Sequence, residues 1–182
     1  QEGPRFLAGN CTGIYAWEDD RNLLFARKSA AEGPKKESAF YRIAVDGGEA
    51  RPAFCVPGEA EEVYALPQGR ALLLLRTDLL ADRQEEECRV IDELPFWYNG
   101  EGWTGGFRRM LCLREPDGTL TRLSAPEEEV TCLALRTDCS KACFAAQPNN
   151  GVRQDKHAVW EVDLATGKKS LLSIACRFAD CI

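Results

Sequence analysis

The stretch "MLCLREPDGTLTRL", Met110 to Leu123, alternates apolar and polar residues on both sides of a P-D-G turn. Period-two alternation closed by a residue that tolerates positive φ is the signature of a β-hairpin. The same shape occurs twice more, as "YRIAVDGGEARPAF" from Tyr41 and "VWEVDLATGKKSLL" from Val159. Upstream of each lies another hairpin pattern. Its second strand is "LLFARKS" from Leu23, "LLLLRTD" from Leu72 and "ACFAAQP" from Ala142, preceded by "GIYAWEDDRN", "VYALPQGR" and "VTCLALRTDCSK". Two consecutive hairpins make a four-stranded meander, the unit of a β-propeller blade.

The spacings carry the argument further. The inner segments begin 49 and then 70 residues apart, whereas the turn glycines Gly48, Gly118 and Gly167 lie 70 and then 49 apart. The reversal puts one insertion of about 20 residues inside the second unit, between its second and third strands, on a basic period near 49. The chain therefore reads as all-β, a partial β-propeller of three four-stranded blades over about 11–57, 62–125 and 129–175, with an inserted arm at about 81–107. A β-sandwich would also supply short strands, but not a fixed four-strand period. Closed propellers need about four to eight blades. "PRFL" at the start and "IACRFADCI" at the end accordingly read as strands of neighbouring blades, leaving sheet edges open.

Composition narrows the partners. The chain has 182 residues, 45% of them hydrophobic, and a formal charge of −6, with no basic cluster of the kind that nucleic acid or an anionic membrane surface requires. Its longest aliphatic run, Ala71 to Leu75, is far short of a bilayer span. The opening "QEGPRFLAGN" has neither an initiating Met nor the order of a signal peptide, and reads as a trimmed start. Nine scattered cysteines and one His imply reduced, mostly buried thiols in a cytoplasmic protein. With no C-x-x-C pair, neither a structural metal site nor a cofactor is expected.

The arm is "ELPFWYNGEGWTGGF", Glu93 to Phe107, with five aromatic residues and five glycines in fifteen positions. Pro95 pushes Leu94 toward an extended conformation, and the glycines permit sharp bends between rings. The rings either pack the arm down or line a substrate entrance. Exposed, they would drive self-association. The substrate-gating or interdomain candidates are Phe96, Trp97, Tyr98, Trp103, Arg108 and Arg109. Alternation puts the two arginines on opposite faces of their strand, so that at most one is expected to point inward to a carboxylate. The runs Glu85–Glu87 and Glu127–Glu129 read as solvated faces, and His157 as an ordinary strand residue.

The segment "IDELPFWYNGEGWTGGFRRMLCLREPDGTLTRLS", Ile91 to Ser124, resembles the propeller of the prolyl oligopeptidase family of serine peptidases, in its acylaminoacyl-peptidase-like branch. The matching positions are Leu94 to Gly100, Gly102, Arg108 and Arg109. The resemblance implies an N-terminal propeller of about seven or eight blades capping a C-terminal α/β-hydrolase domain with a Ser-Asp-His triad. In that arrangement the propeller gates and helps position peptide substrates. No G-x-S-x-G occurs in the 182 residues, so no catalytic residue is assigned here and the chain is expected to be inactive alone. A stand-alone TolB-like or WD40-like scaffold, with the arm as partner-binding loop, is the competing reading. A propeller lyase or glycosidase would need clustered His, Asp or paired carboxylates.

Overall fold

A computed structural model describes residues 8–27, 37–78, 93–94, 96–99, 102–103, 105–154 and 156–176. Three four-stranded antiparallel meanders stand side by side. The first blade is β1 (Cys11–Trp17), β2 (Asn22–Arg27), β3 (Glu37–Ala44) and β4 (Arg51–Pro57), hydrogen-bonded in that order. In the second, β5 (Glu59–Ala65) and β6 (Ala71–Asp78) are followed by a two-stranded hairpin, β7 (Trp97–Tyr98) and β8 (Gly102–Trp103). The blade then resumes with β9 (Phe107–Arg114) and β10 (Leu120–Arg122), in the sheet order β5-β6-β9-β10. The third is β11 (Glu128–Leu135), β12 (Lys141–Pro148), β13 (His157–Asp163) and β14 (Lys169–Cys176). The architecture is a partial β-propeller, and its surplus residues leave the second blade between the second and third strands.

Packing explains the apolar run in β6. Leu72 and Leu74 face the third blade, in a core with Leu111, Val130, Phe144 and Val162. Ala71, Leu73 and Leu75 face the first blade, against Leu24, Ala26, Phe40 and Val56. A strand buried on both faces loses its polar alternation, because no side chain along it reaches water. The first strand of each blade carries a bulge, between Cys11 and Tyr15, between Ala60 and Glu62, and between Val130 and Cys132.

The link between the first two blades is one residue, Gly58, with φ +88°. A Cβ there would lie 2.9 Å from both the Arg76 carbonyl oxygen and Thr77 Oγ1. Gly58→Ala is therefore expected to cost about 2 kcal/mol, through positive φ and a backbone clash together. An unchanged urea midpoint would refute this.

Three expectations are corrected. Ile174 to Cys176 belong to β14 of the third blade, not to a neighbouring one, while "PRFL" and residues 177–182 lie outside the described residues. The run Glu127–Glu129 is not a solvated face: Glu128 and Glu129 are buried, and only Glu127 is exposed. Nor are the described cysteines mostly buried, since Cys11 and Cys55 are exposed, Cys132, Cys139 and Cys143 half-buried, and Cys112 buried. Burial pushes the Cys112 thiol up to about 11, which keeps it protonated. The run Glu85–Glu87 lies outside the described residues.

Candidate functional site

The arm leaves β6 at Asp78 and returns at Phe107, joining the second and third strands of its blade. In the third blade the equivalent connection, 149–154 and 156, lies between β12 and β13, so both open on the same rim of the propeller. There they meet. The Leu94 amide donates to the Gly151 carbonyl at 2.8 Å, and the Arg153 amide donates to the Leu94 carbonyl at 2.9 Å. These bonds form an isolated parallel bridge between Leu94 and Val152. Pro95 allows it by holding Leu94 extended.

A charged latch closes the neck of the arm. Arg108, on β9, is buried, and its guanidinium donates to both carboxylate oxygens of Glu93, once from Nη1 at 3.1 Å. The Gly106 amide donates to the same carboxylate at 3.0 Å, and Arg108 Nη1 also donates to the Phe107 carbonyl at 2.8 Å. Burial alone would raise the Glu93 pKa. The bonds from Arg108 and Gly106, with the nearby charges of Arg108 and Arg153, outweigh it and hold the carboxyl below the ordinary range.

Arg109 points to the other face of β9, and it too pairs. Its Nε donates to Glu61 of β5 at 2.7 Å, and its Nη1 lies 3.6 Å from Glu129 of β11. The Arg109 amide donates to Glu129 at 3.0 Å. The expectation that at most one arginine meets a carboxylate is therefore corrected: both do. Pleating sends them to opposite faces, and each face presents its own acid, Glu93 from the arm root or Glu61 and Glu129 from first strands. Glu128 completes the seam by accepting from Lys169 at 2.8 Å, with Lys169 Nζ 4.0 Å above the Trp160 ring.

Glu129 behaves oppositely to Glu93. Desolvation lifts its pKa above the ordinary value despite the Arg109 amide and the charges of Arg153, Arg109 and Arg108. An acid whose folded pKa is raised destabilises the fold when ionised, and that cost is relieved as pH falls through the raised pKa. The stability of the native chain relative to Glu129→Gln should therefore improve on acidification from neutral pH into the window just above the ordinary carboxylate range. Urea midpoints of the two proteins at several pH values check this, and a constant gap would refute it.

Among the other sequence candidates, Trp97 is 58% exposed and pairs across β7–β8 with Trp103. Phe96 is half-buried. Tyr98 stands opposite Gly102 in the same hairpin. Leu94 and Val152 are also exposed, which places three large apolar side chains on adjacent pieces of this rim. His157 is a buried residue at the start of β13. Among the described residues, no group of three His, Cys, Asp or Glu is placed to hold a metal ion, and no helix is long and apolar enough to cross a membrane. Sequence reasoning missed Glu93, Glu61, Glu129 and Val152. Nothing local distinguishes Glu93 from its acidic neighbours, because its partner lies fifteen residues away.

Chemically, the rim offers an apolar surface on a hairpin whose root is fixed by a buried ion pair. Both arginines already hold internal carboxylates, so an incoming carboxylate would have to displace Glu93 or Glu61 to reach either.

No family model matches the sequence, and no curated protein matches it significantly. Solved structures do. The acylaminoacyl peptidase of Pyrococcus horikoshii superposes with a TM-score of 0.66 at 10% identity, over 95% of this chain and 26% of that one. An acylaminoacyl peptidase in complex with Z-Gly-Gly-Phe-chloromethyl ketone gives 0.58 at 10% identity, over 84% of this chain and 23% of that one. An oligogalacturonate lyase in complex with manganese gives 0.57 at 11% identity, over 91% of this chain and 42% of that one. The chain thus spans about a quarter of each of these peptidases and less than half of the lyase. At such identities the likeness establishes the fold: these three blades are an arc of a β-propeller.

Proposed function

We propose that this chain is the non-catalytic propeller portion of a serine peptidase of the prolyl oligopeptidase family, of acylaminoacyl-peptidase type, in which it gates and helps position peptide substrates. The observation that carries this reading is the latched arm. A glycine-rich aromatic hairpin, whose sequence resembles the family's arm, is rooted at the rim through Glu93, Arg108 and the Leu94 bridge on a propeller arc. A gate needs a fixed root and an adaptable tip. The buried pair supplies the first, and the glycines around Phe96, Trp97, Tyr98 and Trp103 supply the second. Its partners in this reading are a C-terminal hydrolase domain of the same polypeptide and peptide substrates. Six free cysteines among the described residues support a reducing, cytoplasmic location.

The test uses the complete product of the gene. A fluorophosphonate that labels activated serines is expected to modify a G-x-S-x-G serine of the full product and to leave the 182-residue chain unlabelled. Replacing Phe96–Phe107 by a short Gly-Ser link in the full product is expected to raise cleavage of long polypeptides several-fold relative to short peptides. An open reading frame that holds only further blades, with no labelling, would sink the reading and leave a binding scaffold.

A further inference from the structure

The three blades repeat position by position, and the repeat identifies two free faces. Pairing across each inner hairpin aligns Trp17 and Leu23 with Ala65 and Ala71 and with Leu135 and Ala142. One step along, Phe25 aligns with Leu73 and Phe144. In the second blade these positions pack against the first, and in the third blade they pack against the second. In the first blade the same face carries Tyr15, Trp17, Leu23 and Phe25, with Tyr15 64% and Trp17 59% exposed. The opposite face follows the same rule. Ala16 and Leu24 of the first blade pack forward on the second, and Tyr64, Leu72 and Leu74 of the second pack forward on the third. Their equivalents in the third blade are Ala134, Cys143 and Ala145, and Ala134 is exposed.

The two faces compensate in size. The backward face of the first blade is the bulkiest in the series, and the forward face of the third is the smallest. Packed interiors require the volumes of facing layers to be matched, so an oversized layer fits an undersized one. We propose that the partner of these faces is a second copy of the chain, the Trp17 face of each copy seating on the Ala134 face of the other. The contact is heterologous, and two copies related by a twofold axis repeat it twice, closing a ring of six blades within the usual range of about four to eight. The inference is independent of the peptidase reading, since it concerns how the arc's own open faces are covered. Further blades of a longer polypeptide are the competing occupant.

Sedimentation equilibrium of the 182-residue chain is expected to give 40.4 kDa, twice the 20.2 kDa of one copy. Trp17→Glu and Ala134→Arg, both at exposed positions that leave the cores intact, are each expected to shift the equilibrium to monomer. Mixing the two variants is the decisive experiment. Each retains the face that the other lacks, so one good interface re-forms, and the mixture should contain a dimer that neither variant forms alone. A concentration-independent 20.2 kDa species for the native chain, as expected if only further blades cover these faces, would overturn the proposal. So would a dimer that survives both substitutions, which would place the contact at the arm or at the strand edges.

Discussion

Glu93→Gln is expected to cost the fold about 3 kcal/mol, because it leaves the guanidinium of Arg108 buried without its counter-charge. The Arg108 side chain is 4% exposed and that of Glu93 17%, so the arginine is the member that water cannot rescue. Removing both charges at once, in Glu93→Gln with Arg108→Met, should recover most of the loss, since an apolar side chain of similar length can occupy the buried site without desolvating a charge. Urea unfolding of the two single variants and the double variant measures the coupling. The same substitution should also free the neck of the arm, so limited proteolysis between β6 and β9 should accelerate in Glu93→Gln more than its global stability loss accounts for. Equal midpoints for native and Glu93→Gln proteins would show that the pair does not fix the arm. Acid gives an independent reading. The folded pKa of Glu93 is depressed, so its stabilisation is present above the ordinary Glu pKa and is lost as pH falls through the lower folded value.

Phe144→Ala is expected to cost about 3–5 kcal/mol, the usual range for removing a buried aromatic ring from a core that cannot collapse around the gap. Phe144 is 1% exposed and sits among Leu72, Leu74, Leu111 and Val162, between rigid sheets of the second and third blades. Sheets paired along their length cannot close a ring-sized cavity without breaking their own ladders. Leu172→Ala, at a 55% exposed position on β14, should change the midpoint by less than about 0.5 kcal/mol. If the two substitutions cost the same, the seam between these blades is not the core that the packing indicates.

The sequence carried the blades because the information for a hairpin is local. Alternation in "YRIAVDGGEARPAF" and in its two counterparts fixes which residues face the same side, and each turn fixes where the strand reverses. The spacing of Gly48, Gly118 and Gly167 put a surplus in the second unit, and the sheet order β5-β6-β9-β10 has its surplus between β6 and β9. The continuous apolar run at Ala71 to Leu75 likewise reports a strand covered on both faces before any neighbour is known.

The charges around the arm were read less well. Three consecutive glutamates before β11 look like solvated surface, yet Glu128 and Glu129 are buried against Lys169, Arg109 and the Ala125 amide. Their partners lie 41, 20 and 3 residues away, so only the nearest was within reach of a local pattern. Arg108 and Arg109 were legible as candidates on opposite faces, but which acids they meet depends on how blades and arm dock.

Strand identity, turn position and the face of each side chain thus follow from the sequence alone, because they rest on bonds and sterics between residues close along the chain. The latch at Glu93, the seam at Glu129 and the two free faces arise only once sheets stack. Burial and the low-dielectric pairing it enforces are properties of neighbours that the sequence places far apart.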